Sequence, residues 1–199
     1  MIAVMLASSV IVACTDGKLH ILEPSPQGTS PFVLDDFEDG DTQSLNIPEG
    51  YWYFRPDGTC SSGSFGIEIT SGSVGSTHAI RTRGGGCTDW GALLGLDLGG
   101  TGQTFDASSF DALRFWARAE PGSNLELSVS LLDPVHFDTA ITLASEWREF
   151  VLPLDDFVFN DTGETPLRFD RNALTHLQFF VFSASPFDFW LDDVAFVNE

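Results

Sequence analysis

One acidic tripeptide recurs among the residues able to do chemistry: Leu34-Asp35-Asp36 opens LDDFEDGD at 34–41, and the same LDD begins LDDF at 154–157 and LDDV at 191–194. Five carboxylates in eight residues suit a divalent-cation site, a catalytic carboxylate set or one copy of an internal repeat. A repeat is excluded, because the residues flanking the three copies match over no common period.

A second set combines aromatic planes with directional hydrogen-bonding groups. In DALRFWARA, Leu113, Phe115 and Ala117 alternate with Arg114, Trp116 and Arg118. LELSVSLLD sets Leu125, Leu127, Val129 and Leu131 against Glu126, Ser128 and Ser130, and LQFFVFS sets Leu177, Phe179 and Val181 against Gln178, Phe180 and Phe182. The first set of each strand is the expected core, so the other set places Trp and Phe where water should be. Arg114, Trp116, Arg118, Glu126, Gln178 and Phe180 are expected to line one concave sheet face, with Asp133, His136 and Asp138 in a neighbouring loop. Rings that stack on sugar C–H faces, flanked by groups that bond hydroxyls, are what saccharide recognition requires. The alternatives for the Arg-Trp-Arg triplet are a stacked surface cluster with no ligand, or a Trp beneath a covering loop.

Catalytic signatures are missing: the sequence has no HExxH, no GxSxG and no GxxxxGK[ST], and GGTGQT lacks the Lys of a phosphate loop. With 29 acids some carboxylate pair always falls at a glycosidase-like separation, so such a pair carries no information. The chain is read as not an enzyme. The 29 acids against 9 bases give a net charge of −20, which argues against nucleic acid as a partner. Eighteen Phe, five Trp and 43% hydrophobic residues require a packed core.

The elements that must position these groups follow from the pattern. Residues 1–13, MIAVMLASSVIVA, read as a signal peptide, and Ile11-Val12-Ala13-Cys14 resembles a bacterial lipobox, making Cys14 a lipidation site. Residues 14–30 read as a tether, and 31–199 as one β-sandwich domain. This implies an exported, lipid-anchored cell-surface protein. Setting Cys14 aside leaves Cys60 and Cys87, which in an exported chain most simply pair, restraining the unfolded chain by roughly 3–4 kcal/mol. Period-2 alternation between turn residues predicts strands at 32–37, 51–55, 65–69, 78–83, 92–98, 112–119, 125–133, 149–153, 177–183 and 187–196, with a weak helical turn at 172–176. The fold class is all-β, an antiparallel sandwich.

The order DDFEDGD, YWYFRPDG, FDASSFDALRFWARA, LELSVSLLD, WREFVLPLDDF, LTHLQFFVFS and FDFWLDDVAF resembles the galactose-binding-like jelly rolls over roughly residues 32–198. Within them it is most similar to the family 11 carbohydrate-binding modules and the complex I intermediate-associated protein 30 family. The resemblance implies non-catalytic binding of a polysaccharide or oligosaccharide. It also implies a structural calcium ion, with Glu38 of FEDG and Asp192 of WLDDV matching its ligands and Asp39 and Asp41 as additions. The middle LDD is read as a turn with solvated acids. The competing function is a structural or protein-interaction lipoprotein with the same fold and no sugar site.

Overall fold

A computed structural model of the chain describes residues 12–15, 18–21, 30–60, 66–73, 75–100, 103–121, 125–133, 135–159, 167–182 and 185–198. Met1–Ser30 and Pro31–Glu199 form two separate units. In the first, β1 (Val12–Thr15) pairs antiparallel with β2 (Lys18–Ile21), setting Cys14 opposite Leu19. Residues 1–11 of the expected signal peptide, most of the tether and the Cys14 side chain lie outside the described residues.

The second unit is built from β3 (Phe32–Asp35), β4 (Trp52–Pro56), β5 (Gly66–Thr70), β6 (Ala79–Gly84), β7 (Ala92–Asp97), β8 (Ala112–Ala119), β9 (Leu125–Asp133), β10 (Val135–Leu143), β11 (Arg148–Pro153), β12 (Val158–Phe159), β13 (His176–Val181) and β14 (Phe187–Val197). The front sheet runs β12-β10-β9-β13-β7-β4 and the back sheet β11-β8-β14-β6-β5, with β3 beside the C-terminal half of β14. Every ladder is antiparallel, and the two sheets form a jelly-roll sandwich.

The inward sets are those that alternation selects. Leu113, Phe115 and Ala117 of β8, and Leu177 and Phe179 of β13, have no exposed surface. Phe115 and Phe179 meet edge to face at 5.2 Å, so one ring from each sheet closes the core. Trp52 joins them from β4, its ring 6.4 Å from Phe179.

The ten expected strands form, with ends shifted by up to two residues. Two further ones in this unit, β10 and β12, carry weaker patterns. In β10 the inward set Phe137, Ile141 and Leu143 is interrupted by Thr139. β12 is two residues long, shorter than any periodicity can mark. The expected helical turn at 172–176 is a turn followed by a bridge from Leu174 to Phe105, and His176 already begins β13. The middle LDD forms a 3-10 turn that buries Leu154 and leaves Asp155 and Asp156 exposed.

Candidate functional site

The six residues expected on one face are divided between the two sheets. Arg114, Trp116 and Arg118 lie on β8 in the back sheet, whereas Glu126 on β9 and Gln178 and Phe180 on β13 belong to the front sheet. Alternation correctly turned all six away from the core. It carries no information about which sheet a strand joins, and β8 and β9, adjacent in sequence, join opposite sheets. His136 and Asp138 are also corrected, from a loop to β10.

On the back sheet Arg118 of the triplet is part of a stacked cluster. Trp190 of β14 is 4% exposed, with the Arg118 guanidinium 3.8 Å from its ring centroid and that of Arg81, from the strand on the other side, at 4.5 Å. Arg118 also lies 5.3 Å from the Trp147 ring. Arg81 bonds Asp188 through Nε and Nη2 at 2.8 and 2.6 Å, and Arg114 faces Glu149 at 3.9 Å. Trp116 stands opposite Asp192 on one side and Glu149 on the other. Rings and carboxylates neighbour these cations, and Arg118 Nε is buried with no hydrogen-bond partner among the described residues.

The outer face of the front sheet is more open. A cleft of about 460 Å³ is lined by Tyr53, Arg55, Trp90, Leu93, Leu132, His136, His176, Gln178 and Phe180. Cross-strand register builds its floor. Tyr53, Gly95, Gln178, Ser130 and Asp138 form one row across five strands, and Arg55, Leu93, Phe180 and Ser128 the next. A Cβ on Gly95 would run into the Tyr53 ring, so glycine lets that ring lie across the sheet. Gln178 Nε2 donates to the Tyr53 hydroxyl at 2.8 Å, Ser130 Oγ donates to Asp138, and burial pushes the Tyr53 phenol up.

Aromatic rings surround these polar groups. Phe180 is edge-on to Trp90 at 6.3 Å and to His136 at 5.6 Å, and stacks on Phe182 at 5.8 Å. Phe182 is 66% exposed and Tyr51 46%. Two buried atoms of lining residues, Gln178 Oε1 and His176 Nδ1, have no hydrogen-bond partner among the described residues. The expected Gln178 and Phe180 thus lie at the centre of this cleft. Glu126 is exposed on β9, opposite Thr142 and outside the lining. Trp90, which the strand patterns do not mark, has a half-buried ring that forms a wall of the cleft. A single Trp between loop residues has no periodic partner to mark its direction. A larger cavity of about 600 Å³, lined by 46–49, 98–99 and 103–105, has among the described residues only Phe32 and Phe105 as aromatic rings and lacks such a row.

The four acids expected at calcium also separate. Asp39 Oδ1 accepts from the Asp41 amide at 3.2 Å and Asp41 Oδ1 from Gln43 at 2.7 Å, so both close their own turns in solvent. Glu38 reaches across to the 76–78 segment, accepting from Ser76 Oγ at 2.7 Å, the Thr77 amide and hydroxyl at 2.7 and 2.5 Å, and the His78 amide at 2.8 Å. The Thr77 hydroxyl, then that of Ser76, then the two amides hold its carboxyl down at about 2. Asp192 is fully buried and accepts from the Ser73 amide at 2.6 Å and its neighbour Asp193 at 2.9 Å, while burial pushes its carboxyl up.

Both ends of the domain therefore close on one loop. A Cβ on Gly72 would press on Ser76 Oγ and the His78 carbonyl and lie 2.9 Å from Asp192 Oδ2, so three oxygens converge where only glycine leaves room. Among the described residues no three carboxylates converge at metal-ligand range; the group that does is Asp57 with the sulfurs of Cys60 and Cys87, which are joined as a disulfide.

Searches of protein-family models and of curated proteins find no match to the sequence. Solved structures do match. A family 11 carbohydrate-binding module from Clostridium thermocellum, in complex with a β-1,3-1,4-mixed-linked tetrasaccharide, superposes with a TM-score of 0.58 at 15% identity, over 86% of this chain and 97% of that one. A family 30 carbohydrate-binding module of a cellulosomal cellulase from the same organism gives 0.55 at 18%, over 85% and 98%. An exo-β-agarase gives 0.59 at 14%, over 84% of this chain but 25% of that longer one. With two packed antiparallel sheets, these likenesses identify the fold: the chain is a jelly-roll β-sandwich of the kind that carbohydrate-binding modules of families 11 and 30 adopt.

Proposed function

We propose that the chain is a non-catalytic carbohydrate-binding module that holds an extended polysaccharide or oligosaccharide in the front-sheet cleft. The observation that carries this reading is a row of hydrogen-bonding groups, including Gln178 Oε1, which has no partner among the described residues, bordered by the rings of Tyr53, Trp90 and Phe180. Buried polar atoms without partners cost free energy that a hydroxyl-rich ligand would recover, while the rings supply apolar contact. The fold match to a module complexed with a mixed-linked tetrasaccharide supports the same reading. Export with a lipid anchor at Cys14 belongs to this proposal; the mature protein's mass spectrum would carry a diacylglycerol there.

Affinity electrophoresis against β-1,3-1,4-glucan, agarose and mannan tests it. Retention is expected in at least one gel, weakened about tenfold or more by Tyr53→Ala or Phe180→Ala, with Trp116→Ala on the back sheet unchanged. No retention in any gel, or retention lost only with Trp116, would overturn the cleft.

We also propose that calcium is held by Glu38 and Asp192 with Ser76 Oγ and the His78 carbonyl. Ser76 Oγ, the His78 carbonyl and Asp192 are hard oxygen donors drawn together around Gly72, Glu38 reaches the same segment by accepting from Ser76 Oγ, and a bound cation would neutralise the buried Asp192. Saturating calcium is expected to raise Tm by roughly 5–10 °C, reversibly with chelator, and not at all in Asp192→Asn. A Tm indifferent to both calcium and chelator would end the proposal.

A further inference from the structure

We infer that Asp57 and the Cys60–Cys87 disulfide are positioning groups for Trp90, so that the cleft reaches full affinity only in the oxidised protein. This rests on the reading of the cleft as a saccharide site. Trp90 enters the cleft from the loop just before β7, ahead of the first ladder residue, Ala92. Its backbone is gripped by a single carboxylate. Asp57 is 3% exposed, and its Oδ2 accepts from the amides on either side of Trp90, Asp89 at 3.3 Å and Gly91 at 2.7 Å. The Asp57 amide donates back to the Gly91 carbonyl at 2.8 Å.

Its other oxygen, Oδ1, accepts from the Thr59 amide and hydroxyl at 2.7 and 2.5 Å and from the Cys60 amide at 3.1 Å. Thr59 Oγ1 in turn accepts from the Thr88 amide at 2.7 Å. Cys60 is bonded covalently to Cys87, which is 2% exposed, so the 57–60 turn and the 87–91 loop are tied through both hydrogen bonds and sulfur. Although burial opposes ionisation, the Thr59 hydroxyl and the amides of Gly91, Thr59 and Asp89 hold the Asp57 carboxyl down at about 2. Gly91 has φ +97°, and a Cβ there would run into the Val181 carbonyl, so the loop packs directly on β13.

A preformed aromatic wall spares the ligand the cost of ordering it. A dithiol reductant would donate two electrons and two protons, breaking the Sγ–Sγ bond to give two thiols while itself becoming a disulfide. Asp57 would then have to hold the loop alone.

The test is a double-mutant cycle with β-1,3-1,4-glucan, agarose and mannan as probes, run on oxidised protein, dithiothreitol-reduced protein, Asp57→Asn, Trp90→Ala and the Asp57→Asn/Trp90→Ala pair. Reduction and each single change are expected to weaken binding about tenfold, and the pair no more than Trp90→Ala alone, because Asp57 acts through Trp90. Additive losses, or wild-type affinity in folded Asp57→Asn and in reduced protein, would overturn the proposal. A second measurement needs no ligand: amide exchange at 88–91 is expected to quicken about tenfold or more in Asp57→Asn and on reduction, with the β8 and β14 amides unchanged. Unaltered exchange there would also overturn it. If the oxidised wild type binds none of the probes, the saccharide reading falls while the exchange result still decides the positioning.

Discussion

Trp52→Ala is expected to destabilise the domain by about 4–6 kcal/mol and to lower Tm by at least about 10 °C. Two losses combine. Trp52 is 3% exposed, with its ring 5.4 Å from Phe37 and 6.4 Å from Phe179, so truncation opens a cavity between the sheets. Its indole Nε1 also donates to Asp35 Oδ2 at 2.8 Å, joining β4 of the front sheet to β3 of the back sheet across the core. Asp35 is itself 1% exposed, and its other oxygen accepts from the Phe37 amide at 2.9 Å. That bond supports Phe37 at φ 56°, a left-handed conformation uncommon for an aromatic residue. The turn after Phe37 is what sends Glu38 toward Ser76. Trp52→Phe separates the two losses: it keeps most of the packing and forfeits the hydrogen bond, at about 1–3 kcal/mol. Chemical denaturation of the three proteins measures both steps, and equal stabilities for Trp52→Phe and wild type would show that the bond to Asp35 contributes nothing.

Stability, measured with chelator present, is expected to peak near pH 4–5 and to fall on both sides. Glu38 and Asp57 are held down at about 2 in the folded protein. Free Glu and Asp titrate near ~4, so the unfolded chain binds more protons between roughly pH 2 and 4.5, and stability rises with pH across that window. Asp35 has the opposite sign. Burial pushes it from 3.8 up to about 7, with the Phe37 amide and Trp52 indole opposing in part, so the folded state binds the extra proton and stability falls from about pH 4 to 7. The size of that fall is on the order of 3–4 kcal/mol. Asp192 and Asp193, both raised by burial, add to the same limb. Thermal melts from pH 2 to 8 check the shape. Asp35→Asn should flatten the limb above pH 4 and leave the acid limb in place; an unchanged limb in that variant would show that Asp35 does not cause it.

These two predictions turn on residues of LDDFEDGD, which the sequence presents as one acidic stretch. In the structure it divides residue by residue. Asp35 is a core acid tied to Trp52, Glu38 bonds the 76–78 segment, and Asp39 and Asp41 close exposed turns. Nothing in the local spacing separates them, because burial of Asp35 follows from β3 lying beside β14, a strand about 160 residues away along the chain.

The sequence by itself determined ten of the strands, the inward residues of β8, β9 and β13, the all-β class and the parity that pairs Cys60 with Cys87. All of these depend on period-2 alternation or on counting, which any local stretch displays. Only the tertiary structure decided that Arg114, Trp116 and Arg118 lie on the opposite sheet from Gln178 and Phe180, that Trp90 walls the cleft, and that Glu38 and Asp192 meet one loop. Alternation tells which way a side chain points from its own strand. Which strands pair, and hence what each side chain faces, is set by contacts between residues far apart in the chain.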